Sequence, residues 1–167
     1  MEKHRDILKI IIHCSDSPDN LDIGFKQIND WHKERGFEGV DVQVESKAGS
    51  TLKRIYCGYH YVVRRNGVVE TGRPEKLIGA HCYMHNANSI GICWAGRFSP
   101  TNVQRDALVQ LVKTICLKYA LPYHRVYGHK EFNKEKTCPN IDMDLFRQDI
   151  QKLLAGESNG SGDLGPK

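Results

Sequence analysis

Short aliphatic blocks along the chain predict β-strands. Residues 7–12 are almost entirely aliphatic, and a short block of this kind is typical of a buried strand. The segment 89–94 contains no charged residue, so we expect it to be buried on both faces of a sheet. The Asn-Gly pair at 66–67 predicts a hairpin turn. Further strands are predicted at 59–63, 68–70 and 125–128.

A second kind of pattern, with the period of a helix, appears between the first two strands. Residues 22–35 place Ile28, Trp31 and His32 on one face, as in an amphipathic helix that packs on a core. Gly36 follows at once, and glycine commonly ends a helix because it adopts the left-handed conformation without strain. We therefore expect the first helix to end there and to bury His32.

Two more helices follow later in the chain and complete the predicted fold. The segment 100–120 has a regular apolar stripe, with Ser99 as the expected N-cap. Another helix is predicted after Asp142. Because strands and helices interleave, the sequence predicts an α/β fold, a single domain with a mixed central β-sheet flanked by helices. A chain of 167 residues is the length of one such domain, which we assign to residues 1–155. Residues 156–167 are rich in glycine and polar residues and are predicted to form a flexible tail.

Charge and hydropathy exclude several classes of partner. The 24 Lys and Arg exceed the 20 Asp and Glu by only four, and the basic residues are scattered, so we expect no nucleic-acid binding. No apolar stretch approaches the roughly 18 residues of a membrane span, and the N-terminus lacks a signal-peptide pattern. We expect a monomer that binds no membrane and is made in the cytoplasm without a signal peptide.

Three residues that follow predicted strands suggest a metal site. His13 ends the first strand, His129 ends the last, and Cys138 lies in the following loop. Strand ends at one edge of a sheet converge on a common crevice. Two imidazoles and one thiolate give Zn²⁺ three ligands and leave a fourth position for water, as a catalytic zinc site requires. Cys14 is a competing candidate as a nucleophile, although on a strand it would face away from His13.

Motifs distributed over about residues 10 to 150 add a family resemblance. They are Ile-Ile-His-Cys-Ser at 11–15, Trp-His-Lys-Glu-Arg-Gly-Phe at 31–37, Gly-Tyr-His-Tyr at 58–61, Asn-Gly-Val-Val-Glu-Thr-Gly-Arg at 66–73, Gly-Ala-His at 79–81, Asn-Ser-Ile-Gly-Ile at 88–92, Gly-His-Lys-Glu at 128–131 and Lys-Thr-Cys-Pro at 136–139. In their types and order they resemble zinc-dependent N-acetylmuramoyl-L-alanine amidases (amidase type 2), the family of the T7-type phage lysozymes and peptidoglycan recognition proteins.

The resemblance implies a function and a set of site residues. His13, His129 and Cys138 would be the zinc ligands, Tyr59 and Lys136 would assist catalysis, and we expect His81 to contact the substrate. The implied reaction is hydrolysis, by zinc-activated water, of the amide between N-acetylmuramic acid and L-alanine in peptidoglycan. The protein would then act on the cell wall after release or export, and residues 1–155 would be the catalytic domain.

One departure from the resemblance and three alternatives remain open. Phage relatives join the helix to the Gly-Tyr-His strand by a short link, whereas residues 38–57 form an inserted loop here, expected near the cleft. There it could shape stem-peptide specificity or cover the site. The first alternative is a non-catalytic peptidoglycan-binding module, but such relatives typically lack the cysteine ligand. The others are a cysteine hydrolase that uses Cys14 and a structural zinc protein.

Overall fold

The computed structural model describes residues 4–160, and only the backbone of residues 157–160. The described residues form seven strands and three α-helices. The strands are β1 (Lys9–Cys14), β2 (Val40–Ser46), β3 (Gly49–Ile55), β4 (Tyr61–Val63), β5 (Val69–Thr71), β6 (Ser89–Trp94) and β7 (Val126–Gly128). The helices are α1 (Phe25–Glu34), α2 (Asn102–Tyr119) and α3 (Met143–Gly160).

Five of the strands form the central sheet, in the order β5-β4-β6-β1-β7. Strands β4, β6, β1 and β7 are parallel, whereas β5 pairs antiparallel with β4 across the predicted hairpin turn. The prediction of an α/β domain with a mixed central sheet is confirmed. Strand β6 is buried along its whole length, as its apolar sequence indicated.

The two faces of the sheet bury different sets of side chains. Ile10 and Ile12 of β1 lie in the larger core, where α2 and α3 contribute Leu108 and Phe146. Because side chains alternate along a strand, His13 projects to the opposite face. That face is covered by α1, which contributes Ile28 to a smaller core. The sheet therefore presents His13 on the face where the core is thinner.

The N-terminus of α2 differs in detail from its prediction. Thr101, rather than Ser99, is the N-cap: its hydroxyl accepts from the Gln104 backbone N–H, and the Gln104 side chain accepts from the Thr101 N–H. This reciprocal pair satisfies two donors at the helix start. The Ser99 side chain is exposed and bonds instead to the Pro100 carbonyl. At α1 the predicted end is confirmed, since Gly36 has a φ of +81°.

Within the segment described as an inserted loop, residues 40–55 form a β-hairpin. Strands β2 and β3 pair antiparallel along their full length, from Val40 opposite Ile55 to Ser46 opposite Gly49, and they form a sheet of their own. The second strand was not predicted because its side chains are exposed and mostly polar, so no alternation marks it.

The C-terminal helix extends further than the composition suggested. Its backbone is helical through Gly160, so residues 156–160, which were assigned to a tail, belong to α3. The remainder of the predicted tail, residues 161–167, lies outside the described residues. No helix in the described part of the chain is both long and apolar enough to cross a membrane.

Candidate metal centre

The ends of two neighbouring strands bring the predicted metal ligands together. His13 lies at the end of β1, and His129 directly follows β7, the strand paired with β1. Cys138 comes from the loop before α3. The possible ligand atoms of these three residues all lie within 4.8 Å of one another. The Nδ1 atoms of the two histidines are 3.1 Å apart.

Backbone contacts hold the Cys138 loop against the sheet. The Cys14 N–H donates to the Cys138 sulfur at 3.1 Å, and the Lys130 N–H donates to the Cys138 carbonyl at 2.8 Å. The buried indole of Trp94 donates to the Pro139 carbonyl at 2.9 Å. The position of the thiol is therefore fixed by the same strand ends that carry the histidines.

The donor set fits a zinc ion. Zinc binds imidazole nitrogen at about 2.0–2.1 Å and thiolate sulfur at about 2.3 Å in tetrahedral sites, which places two nitrogen ligands roughly 3.4 Å apart. The nitrogen separation of 3.1 Å is close to that value. Burial lowers the pKa of His13 well below its usual value, and burial followed by the Lys136 ammonium lowers the pKa of His129. Both rings are therefore neutral, as metal ligands must be.

Tyr59 and Lys136 lie on the same cleft as the three ligands. The Tyr59 ring centroid is 5.1 Å from that of His13. Burial raises the pKa of Tyr59 well above its usual value, so its hydroxyl stays protonated and can donate. Lys136 is exposed at the rim, and its backbone N–H is tied to the Asn133 carbonyl at 3.0 Å. The structure thus places a neutral phenol and an ammonium beside the cluster.

His81 also borders the cleft, with both ring nitrogens engaged. Its Nδ1 lies 2.8 Å from Nε2 of His13, and its Nε2 lies 3.2 Å from the Ser89 hydroxyl. Burial lowers the pKa of His81 well below its usual value, so the ring is neutral. A substrate contact, the role expected from the sequence, stays a prediction. The contact with His13 was not predicted because 68 residues separate the two histidines and no local motif links them.

Two buried histidines and an arginine support the segment that carries Tyr59, which lies just before β4 and not, as predicted, within the strand. His32 accepts from the Gly58 N–H at 2.9 Å, and His60 accepts from the Gly91 N–H at 3.0 Å. The Arg73 guanidinium donates to three backbone carbonyls, those of residues 38, 57 and 78. The burial of His32 was expected from the sequence, whereas nothing there marked Arg73 for this role.

The cleft has a volume of about 960 Å³. Aromatic side chains line it, including Trp31, Phe37 and the largely exposed Tyr83. The hairpin residues that line a cavity, such as Val42 and Leu52, line a different one. The expectation that the inserted segment lies near the cleft therefore holds for its first residue, Glu38, and not for the hairpin.

The thiol of Cys14 has no imidazole partner among the described residues. Cys14 is buried on the larger core, and its side chain contacts the Cys138 thiol and, at 3.8 Å, the Asn140 amide nitrogen. A cysteine nucleophile needs an adjacent base. The cysteine-hydrolase alternative therefore lacks the general base that would activate Cys14.

Comparisons with known proteins identify the family of the chain. A family model described as N-acetylmuramoyl-L-alanine amidase matches residues 3–141. The chain is 33% identical over 144 residues to the endolysin of Escherichia phage T7, covering 80% of this chain and 81% of that protein. It is 29% identical over 153 residues to the endolysin of Klebsiella phage KP32, covering 84% and 85%.

A solved structure gives the same fold. The N-acetylmuramoyl-L-alanine amidase LysC from Clostridium intestinale superposes with a TM-score of 0.69 at 23% identity, covering 91% of this chain and 87% of that one. With the family match extending over most of its length, the chain belongs to the N-acetylmuramoyl-L-alanine amidase family and is an amidase of this class.

Proposed function

We propose that the protein cleaves the amide between N-acetylmuramic acid and L-alanine in peptidoglycan with a zinc ion held by His13, His129 and Cys138. The observation that carries the proposal is the meeting of these three ligand atoms within 4.8 Å of one another on an open cleft. When bound, zinc would supply a Lewis acid that activates water and polarises the scissile carbonyl.

Tyr59 and Lys136, which border the same cleft as the ligands, assist the reaction. Hydrolysis adds the oxygen of water to the carbonyl carbon, breaks the carbon–nitrogen bond and leaves a proton on the departing amine. The protonated Tyr59 hydroxyl, beside His13, is placed to hold the attacking water by a hydrogen bond. The Lys136 ammonium at the rim stabilises the negative charge that develops on the carbonyl oxygen.

The proposal also assigns the catalytic domain and the substrate. Residues 1–155 form the catalytic domain, and the monomer binds peptidoglycan as its substrate along the aromatic-lined cleft. His81 borders this cleft, and we expect it to contact the substrate there, as predicted from the sequence. The wall is reached after release or export of the protein.

Digestion of purified sacculi tests the function. Wild-type protein should release new L-alanine amino groups without new reducing sugar ends, and a chelator should stop the release until zinc is restored. Cys138→Ser should lose both the bound zinc and the activity. Cys116→Ser, the same change at a buried thiol in α2, is the matched control and should keep both. New reducing ends, or full activity of Cys138→Ser with no metal bound, would contradict the proposal.

A further inference from the structure

Four groups form a chain of hydrogen bonds that leads away from the metal ligands. His13 Nε2 lies 2.8 Å from His81 Nδ1, and His81 Nε2 lies 3.2 Å from the Ser89 hydroxyl. The Ser89 hydroxyl lies 2.7 Å from the backbone carbonyl of His85. Each ring nitrogen in this chain could in principle donate or accept, but the carbonyl at its end cannot donate.

The fixed end determines the direction of every bond. The Ser89 hydroxyl has one hydrogen, and it goes to the His85 carbonyl because that oxygen only accepts. Ser89 therefore accepts from His81, whose single N–H is on Nε2. His81 Nδ1 is then an acceptor, so the hydrogen between the two rings belongs to Nε2 of His13. A neutral His13 with hydrogen on Nε2 keeps its lone pair on Nδ1.

This Nδ1 lone pair is the one that would bind the metal ion. Nδ1 of His13 is the nitrogen that faces His129, at 3.1 Å from the second imidazole. We infer that His81, anchored by Ser89, is a positioning residue that holds His13 in the tautomer whose Nδ1 lone pair faces the metal. This inference rests on the proposed zinc site and gives His81 a role in addition to its place on the cleft.

Two glycines leave room for the His81 ring in this position. Gly91 of β6 is paired with Ile11 of β1, two residues before His13. Because Gly91 has no side chain, the face of the sheet beside Ile11 has space for the His81 ring. A Cβ atom at Gly91 would lie 2.5 Å from Cδ2 of His81, and one at Gly79 would lie 2.7 Å from the same atom. Cβ atoms essentially never approach another heavy atom within 3.0 Å. The ring therefore fits in this position because residues 79 and 91 are both glycine.

The engagement of both nitrogens distinguishes this role from substrate recognition alone. A histidine that recognises substrate leaves one nitrogen free for it, whereas His81 Nδ1 meets His13 and Nε2 meets Ser89. Partners of this kind orient metal-binding imidazoles, and their loss typically lowers metal affinity about 10–100-fold.

Zinc affinity and imidazole tautomers test the inference. Affinity is measured by competition with a chromophoric chelator. His81→Ala should weaken binding about 10–100-fold. His81→Asn should stay within about threefold of wild type, because its side-chain oxygen can accept from His13 in the place of Nδ1. Ser89→Ala should weaken binding with the fold intact, and Ser99→Ala, at an exposed serine, is the control and should match wild type.

Nitrogen-15 NMR of the metal-free protein supplies the second measurement. Both His13 and His81 should carry hydrogen on Nε2 in the wild type, and His13 should lose this preference in His81→Ala. The inference would be overturned if His81→Ala and Ser89→Ala both bound zinc as tightly as the wild type, or if His13 of the wild type carried its hydrogen on Nδ1. Either result would leave the proposed metal site standing. A wild-type protein that binds no zinc would overturn the proposed metal site and this inference with it.

Discussion

The Nδ1 atoms of His13 and His129 lie 3.1 Å apart although 116 residues separate them along the chain. The register of two parallel strands accounts for the contact. Ile12 of β1 is paired with Gly128 of β7, so the next residue of each strand, a histidine in both cases, is carried to the same edge. A slip of one residue in β1 would turn His13 to the other face of the sheet. The candidate metal site therefore depends on the pairing of β1 with β7.

Removal of the Tyr59 hydroxyl should impair catalysis without affecting the metal. Tyr59→Phe keeps the ring beside His13 and removes the hydroxyl that is proposed to hold the attacking water. We expect kcat to fall about 10²–10⁴-fold, the range for a positioned acid–base group, while zinc affinity and Tm stay close to wild type. Tyr127→Phe, the same change in a ring that packs on Phe132, is the control. Unchanged kcat in Tyr59→Phe would remove the hydroxyl from the mechanism.

Loss of the rim ammonium should also reduce turnover. We expect Lys136→Ala to lower kcat about 10²-fold, comparable to the loss of one oxyanion donor. Lys134→Ala, at an exposed lysine of the same loop, should change kcat less than twofold. The two variants are compared by the rate of amine release from soluble muropeptide. Equal effects of both substitutions would mean that the loop contributes only general positive charge.

Two buried histidines should make the metal-free protein sensitive to acid. Burial, with smaller contributions from Arg35 and Arg73, lowers the pKa of His32 to about 4, and burial lowers that of His60 to about 4. Below pH 6.5 the unfolded chain takes up protons at these rings while the folded protein does not, so stability falls as the pH drops from about 6.5 to 4. The loss should be about 2 kcal/mol for each histidine at pH 5.

Urea unfolding at pH 7 and pH 5 measures this loss. His32→Asn keeps an acceptor for the Gly58 N–H and should remove its share of the acid sensitivity. His124→Asn, which removes an exposed imidazole, is the matched control. If the free energy of unfolding is the same at both values of pH, the two rings are not held neutral by the fold.

Shortening of the hairpin should leave the metal centre intact. Residues 44–51 are all exposed, and their replacement by Asn-Gly would close β2 and β3 with a favoured two-residue turn. We expect zinc affinity within twofold of wild type and a Tm within a few degrees. Any change in activity should then appear as an altered preference among stem peptides. A large loss of zinc affinity would mean that the hairpin supports the centre, contrary to its position beside a different cavity.

The sequence identified the parts of the site that follow strands. His13 and His129 are recognisable because each ends a predicted strand, and Cys138 because it lies in the loop that follows the last strand. The family resemblance adds Tyr59 and Lys136. Strand β3 could not be found because its exposed polar residues carry no pattern. The bond between His13 and His81 could not be found either, since it depends on how distant loops fold back over Gly91.

The separation of the hairpin from the cleft has a practical meaning for protein engineering. The turn at Lys47 and Ala48 is exposed and joins two fully paired strands, and exposed turns of this kind are where inserted sequence is best tolerated. A wall-targeting peptide or a fluorescent label could be spliced in at this tip, so that new binding properties are added while the zinc ligands, the phenol and the ammonium keep their places.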